Sequence, residues 1–217
     1  MAMTADDAAA GRSRTALVTG GTGGMGRVIA ARLAADGFDV AVAYAGSVDL
    51  ADATLSEIKE HGRSGAAFAA DIADTDAVSA LFDAVDDHFG HLDVVVHTAG
   101  INRPAALTDL DLADFDEVHR VNVRGTFVVD QQAARRIRDG GSIVNLSSSM
   151  VRFAPPALSA YAASSCTWGA RFAATTRCRF DRRDRSRADP RDLPPAGART
   201  ALVFAAGPRA VPSCVRP

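Results

Sequence analysis

The segment TALVTGGTGGMGRVIAARLAADG, residues 15–37, sets a pattern that the rest of the chain repeats. Its opening TALVTG (15–20) is a short apolar run closing in Thr-Gly, the composition of a strand buried on both faces. A glycine-rich turn follows. Val28, Ile29 and Leu33 then recur with several alanines at helical spacing, until Gly37 stops the run. Strand, glycine turn and helix in direct succession are the context in which a Gly-rich motif signals a dinucleotide site. Glycines let the backbone turn tightly and approach a pyrophosphate, whose charge rests at the helix N-terminus. A glycine-rich turn alone is weak evidence, since many strand–helix connections use one.

The same alternation continues outward. DVAVAY (39–44) reads as a second strand, and 49–62 as a helix with apolar Leu50, Ala53, Leu55 and Ile58. GAAFAAD (65–71) is a third strand, and 74–90 a helix whose Val78, Leu81, Phe82, Val85 and Phe89 make one stripe. LDVVVHTAG (92–100) is a fourth strand, its three valines placing it centrally. A long helix over 111–138, a fifth strand GSIVNLSSS (141–149) and a helix beginning ALSAYAAS (157–164) complete the series. Short Gly-marked connections between strands and helices predict an α/β fold. The expected form is a Rossmann-type doubly wound parallel sheet with helices on both faces and right-handed crossovers.

Composition divides the chain. The whole has 217 residues, 47% of them apolar, and a net charge of −2, which suits one soluble domain with a sizeable core. No run of 18 apolar residues predicts a membrane span, and residues 1–12 read as a disordered lead without a signal-peptide core. A cytoplasmic location is the expectation. Residues 1–164 carry a net −9 and residues 165–217 a net +7. All three cysteines (Cys166, Cys178, Cys214) and six of nine prolines fall in the second part, which contains no Ile, Lys, Glu, Asn, Gln, His or Tyr. No CxxC pair or nearby His accompanies those cysteines, so no metal site is predicted.

Several residues stand at the predicted carboxyl ends of the strands, where open α/β sheets bind ligands. Asp71 closes the third strand, where its carboxylate could accept from an adenine amino group or cap a helix. HTAG (97–100) ends the fourth strand, as a crevice wall or a plain turn. Ser147–Ser149 end the fifth, and Tyr161 lies just beyond.

Taken in order, Thr19, Gly20, Gly24 and Gly26 (TGxxxGxG), Asp71–Ile72, HTAG, VNVRG (121–125), IVNLSS and YAAS resemble the short-chain dehydrogenases/reductases, and within them the 3-oxoacyl-thioester reductase group. The resemblance spans about residues 13–164, with Ser148 preceding Tyr161 by the family's usual interval. It implies hydride transfer between NADP(H) or NAD(H) and a small carbonyl compound or secondary alcohol. Tyr161 is then the acid/base, Ser148 hydrogen-bonds the same carbonyl oxygen, and Asn122 holds a water that begins a proton relay. Thr19, Gly20, Gly24, Met25, Gly26, Ser47, Asp71, Ile72, Ala99 and Gly100 line the cofactor. The bland alternatives are a buried helix tyrosine, a strand-end cap and a helix polar residue. AYAGS (43–47) lacks an acid for a ribose 2′-hydroxyl, and Ser47 suits a 2′-phosphate, so NADP(H) is expected ahead of NAD(H). Gly23 departs from this, standing where many NADP-preferring members carry a basic residue. His97 replaces the family's usual Asn and reads as a tolerated variant. No nucleic-acid or membrane partner is expected, and family analogy implies a homo-oligomer.

The main departure is at position 165. The family pattern is YxxxK, whose lysine holds the nicotinamide ribose and lowers the tyrosine pKa; here Ser165 follows YAAS. Residue i+4 shares a helix face with residue i. A phenol in water ionises near pH ~10, so cycling it at pH ~7 unaided costs about 4 kcal/mol. The only lysine, Lys59, belongs to the second predicted helix, and Arg171 lies roughly 15 Å along the helix from Tyr161. Residues 165–217 read as an atypical Arg/Pro-rich tail, poorly ordered, with the family's C-terminal strands missing or irregular and only TALVFAAG (200–207) strand-like. A shift of reading frame near codons 164–166 of a GC-rich gene accounts for the change. Three readings stay open: an active oxidoreductase, a catalytically impaired nucleotide-binding remnant, and an interaction protein using its basic tail.

Overall fold

The computed structural model describes residues 13–153, 156–171 and 199–205. Strand β1 (Arg14–Thr19) leads to helix α1 (Gly24–Ala35), then β2 (Phe38–Tyr44), α2 (Val48–Glu60), β3 (Gly65–Ala69), α3 (Thr75–Phe89) and β4 (Val94–His97). Helix α4 (Leu112–His119) passes through a π-helical segment (Arg120–Gly125) into α5 (Thr126–Arg136). Then come β5 (Ser142–Ser148), α6 (Met150–Phe153), α7 (Ser159–Arg171) and β6 (Arg199–Ala205). The strands pair in parallel in the order β3-β2-β1-β4-β5-β6. The chain winds outward in opposite directions from β1 and β4, which opens a crevice at the carboxyl ends of those two strands. Among the described residues no helix is long and apolar enough to cross a membrane.

Apolar residues on alternate strand positions build two cores, one on each face of the sheet. Leu17, Ala41, Val95 and Ile143 pack with Leu81, Phe82 and Val85 of α3 and Val129 and Ala133 of α5. Ala16, Val18, Val40, Val42 and Val96 pack on the other face with Ala30 and Ala34 of α1 and Ile58 of α2. A strand whose two faces both meet core must be apolar throughout, which is why β1 and β2 lack the alternation of a surface strand.

Some expectations need correction. Val28 and Leu50 point outward, 68% and 46% exposed. Helix α1 instead buries Gly26, Ala30 and Ala34, small residues that let it lie close on the sheet and turn the bulkier side chain to solvent. The third strand ends at Ala69, so Asp71 lies in the following loop rather than closing the strand. The long helix predicted over 111–138 is interrupted by the π-helical segment. Helix α7 continues without a break through Ser165 to Arg171. The strand-like segment near 200–207 supplies β6, in register with β5 from Ser142↔Arg199 to Ser148↔Ala205. The lead at 1–12, residues 172–198 with Cys178, and residues 206–217 with Cys214 lie outside the described residues.

Candidate active site

The β1–α1 turn is shaped by close contacts. Gly20 has φ +66°, and a Cβ built there would stand 2.8 Å from the Ala99 backbone nitrogen, so the position admits glycine alone without strain. A Cβ on Gly26 would fall 2.2 Å from the Gly20 carbonyl oxygen, inside any tolerable contact. Gly24 differs: nothing lies within 4 Å of its would-be Cβ, which leaves open room at the mouth of the turn. Helix α1 begins after Gly23 with no side-chain cap and no acid in its first turn. Its leading N–H groups and the positive end of its dipole therefore face the crevice without a side-chain acceptor from the cap, the setting in which helices bind phosphate. Met25 beside them is exposed. The cradle and the helix terminus fit a dinucleotide pyrophosphate.

The other predicted cofactor residues follow the carboxyl ends of β2, β3 and β4. Ser47, at the N-terminus of α2, makes no capping bond with its side chain. Asp71 accepts from the Ala73 amide at 2.9 Å and pairs with Arg120 at 3.8 Å, both side chains about half exposed. The cap of α3 is Asp74, which accepts from the Asp76 and Ala77 amides, so Asp71 is not spent on capping. Ile72 is buried. Thr98 Oγ1 donates to the Thr19 carbonyl at 2.7 Å, anchoring the segment that carries Ala99 and Gly100 to the glycine turn.

Asn122 sits in the π-helical segment, a form often found at functional sites because it widens the helix and redirects side chains. Its Oδ1 accepts from Ile101 N–H at 2.8 Å. Its Nδ2 donates to the Ile101 carbonyl at 2.9 Å and to Ser164 Oγ at 3.1 Å. Ser164 in turn donates to the Tyr161 carbonyl at 2.9 Å. The amide thus clasps the loop after β4 to the helix that carries Tyr161. Ser148, buried at the end of β5, accepts from the Met150 amide at 3.2 Å. Helix α7 packs on β5 and on the π-helical segment, so the elements carrying Ser148 and Asn122 both adjoin the helix that carries Tyr161. Position 165 lies on this inner side: Ser165 is only 9% exposed.

Sequence reasoning missed a polar layer beneath the site. Thr19, His97 and Asn145 are register partners across β1, β4 and β5. Over them α5 places Thr126 and Asp130, four residues apart on one face. Thr19 Oγ1 lies 2.6 Å from His97 Nδ1, and His97 Nε2 lies 2.9 Å from Thr126 Oγ1. Asn145 donates to Asp130 at 2.8 Å. Burial pushes His97 down to about 4. Burial also pushes the Asp130 carboxyl up to about 7, against the pull of the Asn145 hydrogen bond. The signal in the sequence was Thr126 and Asp130 interrupting GTFVVD at helical spacing.

A sequence model of the family described as short chain dehydrogenase matches residues 14–171. The 3-oxoacyl-(acyl-carrier-protein) reductase FabG of Staphylococcus aureus is 40% identical over 154 residues, 70% of this chain and 63% of that protein. Versicolorin reductase of Emericella nidulans is 42% identical over 135 residues, 62% of this chain and 51% of its own length. The chain thus spans between about half and just under two thirds of these relatives. Among solved structures, a short chain dehydrogenase from Burkholderia cenocepacia in complex with NADP superposes with a TM-score of 0.68 at 46% identity, covering 70% of this chain and 63% of that one. The glycine cradle, the strand order and the matched span agree, and the chain belongs to the short-chain dehydrogenase/reductase family.

Proposed function

We propose that the chain binds a nicotinamide adenine dinucleotide, NADP(H) ahead of NAD(H), and is built for hydride transfer with a carbonyl or secondary alcohol. The observation that carries this reading is the cradle where Gly26 meets the Gly20 carbonyl beneath an uncapped helix N-terminus. Gly20, Gly24, Met25 and Gly26 hold the diphosphate, Asp71 and Ile72 the adenine, and Ala99 and Gly100 line the path onward, while Thr19, expected among them, is fully buried with its hydroxyl turned to His97 and supports the turn from beneath. Ser47 is assigned to the 2′-phosphate: residues 43–47 contain no acid, and the Burkholderia relative is described with NADP. When bound, the cofactor supplies the hydride. Ser148 donates a hydrogen bond to the substrate carbonyl oxygen, and Tyr161 gives that oxygen its phenolic proton. Asn122 keeps Tyr161's helix in place and holds the water of a proton relay. The FabG relative makes a 3-oxoacyl thioester the first substrate to try. A cytoplasmic homo-oligomer is the corresponding form.

Ser165 favours a second reading, a nucleotide binder impaired in turnover. It occupies the buried position where the family's lysine would assist Tyr161, and a serine supplies no charge. NADPH fluorescence titration and a reduction assay with ketones and 3-oxoacyl thioesters separate the two. Binding with turnover in the wild type supports the enzyme. Binding without turnover, with at least a tenfold gain in Ser165→Lys, supports impairment through this position. Failure to bind NADPH overturns both.

A further inference from the structure

We infer that His97 is a positioning residue that ties the glycine turn to the backbone of Asn122, through Thr19 on one side and Thr126 on the other. The inference rests on the nucleotide-site reading above but draws on different atoms. Thr126 Oγ1 lies 2.7 Å from the Asn122 carbonyl, which can only accept, so the single hydroxyl proton is committed there. Toward His97, Thr126 must then accept, and the proton belongs on Nε2. A neutral ring has one N–H, so Nδ1 is bare and accepts the Thr19 hydroxyl proton. The direction of the whole chain follows: Thr19 to His97, His97 to Thr126, Thr126 to Asn122. His97 is 4% exposed, and burial holds its ring neutral, so water neither competes for these bonds nor changes the tautomer near neutral pH.

Both ends of this chain matter to the site. Thr19 is the last residue before Gly20, whose backbone leans on Ala99, so displacing Thr19 moves the cradle. Asn122 carries the amide that clasps Ile101 and Ser164. An imidazole presents nitrogens on opposite edges of a ring and can bridge two hydroxyls. An asparagine at 97 is shorter, its polar atoms fork from one carbon, and it reaches one threonine or the other. His97 is accordingly more than a tolerated variant, although it touches no reacting atom.

The test uses the full chain. Long-range proton–nitrogen spectra of histidine-labelled protein should show His97 as the neutral Nε2–H tautomer, unchanged from pH 5.5 to 8. In Thr126→Val, which removes a buried hydroxyl at the far end from the turn, amide exchange should rise at both Gly20 and Ile101. Thr126→Ser should restore both. NADPH affinity should fall about tenfold in Thr126→Val and His97→Asn, equivalent to 1.4 kcal/mol, with stability followed separately by urea unfolding. An Nδ1–H tautomer, or exchange rising at Ile101 but not at Gly20, overturns the inference. So does wild-type-like NADPH affinity in both variants. Should the wild type bind no NADPH, the proposed function fails alone, because the tautomer and exchange readouts need no nucleotide.

Discussion

At the scale of single residues, three glycines in one turn play unequal parts. Gly26 abuts the Gly20 carbonyl, and Gly20 itself is left-handed, whereas Gly24 faces open space. Gly26→Ala forces the turn apart and should cost about 2 kcal/mol or more, in the range of overpacking at a tight site. Gly24→Ala should leave stability within about 0.5 kcal/mol, as a substitution without a packing conflict does. Urea unfolding of the two variants checks the contrast, and equal losses would show that the turn is not held by this contact. The motif spacing named all three glycines alike. What separates them is the folded turn: Gly20 meets the distant Ala99 backbone, Gly26 meets the Gly20 carbonyl a few residues back, and Gly24 meets nothing, none of which the spacing alone reveals.

At the scale of elements, legibility followed the range of the interactions. Strands and helices with strong periodicity were readable: the stripe of Val78, Leu81, Phe82 and Val85 on α3 is buried as its spacing requires. The face of α1 was not, because hydrophobicity pointed to Val28 while close packing selected Ala30 and Ala34. The π-helical segment was equally hidden, and the bonds that tie it down are tertiary: Arg124 donates to the Ala73 carbonyl at 3.1 Å and to Thr75 Oγ1 at 2.8 Å. In the loop after β3 the sequence left two roles open for Asp71, and geometry gives the capping role to Asp74. Asp74→Ala should therefore cost about 1 kcal/mol, as loss of an N-cap does. Asp71→Ala should change stability by less than half of that while weakening NADPH binding under the proposed assignment. Thermal or urea unfolding beside a nucleotide titration separates the two, and a larger stability loss at Asp71 would reverse the assignment.

At the scale of the whole molecule, two buried titratable groups pull stability in opposite directions. His97 is held near about 4, below the ordinary histidine value of about 6.5, so between those pH values the unfolded chain binds the extra proton. Its contribution to stability is complete above about pH 6.5 and is lost as pH falls toward 4. Asp130 is held near about 7, above the ordinary 3.8, so over the intervening range the folded chain binds the extra proton. Its contribution is present at low pH and is lost as pH rises from about 4 to 7. Each amounts to something on the order of 3 kcal/mol, and the two slopes largely cancel between pH 4 and 6.5. Removing either group should expose the other. The stability of Asp130→Asn relative to wild type should climb as pH rises from 4 to 7, leaving the variant the more stable protein at pH 8. That of His97→Asn relative to wild type should fall as pH rises from 4 to 6.5, whatever constant loss its broken hydrogen bonds add. Urea unfolding of the three proteins across this range checks both signs. A pH-independent difference for Asp130→Asn would mean that its carboxyl ionises as it does in water. The polar layer under α5 would then be hydrated, rather than the dry seam that its burial describes.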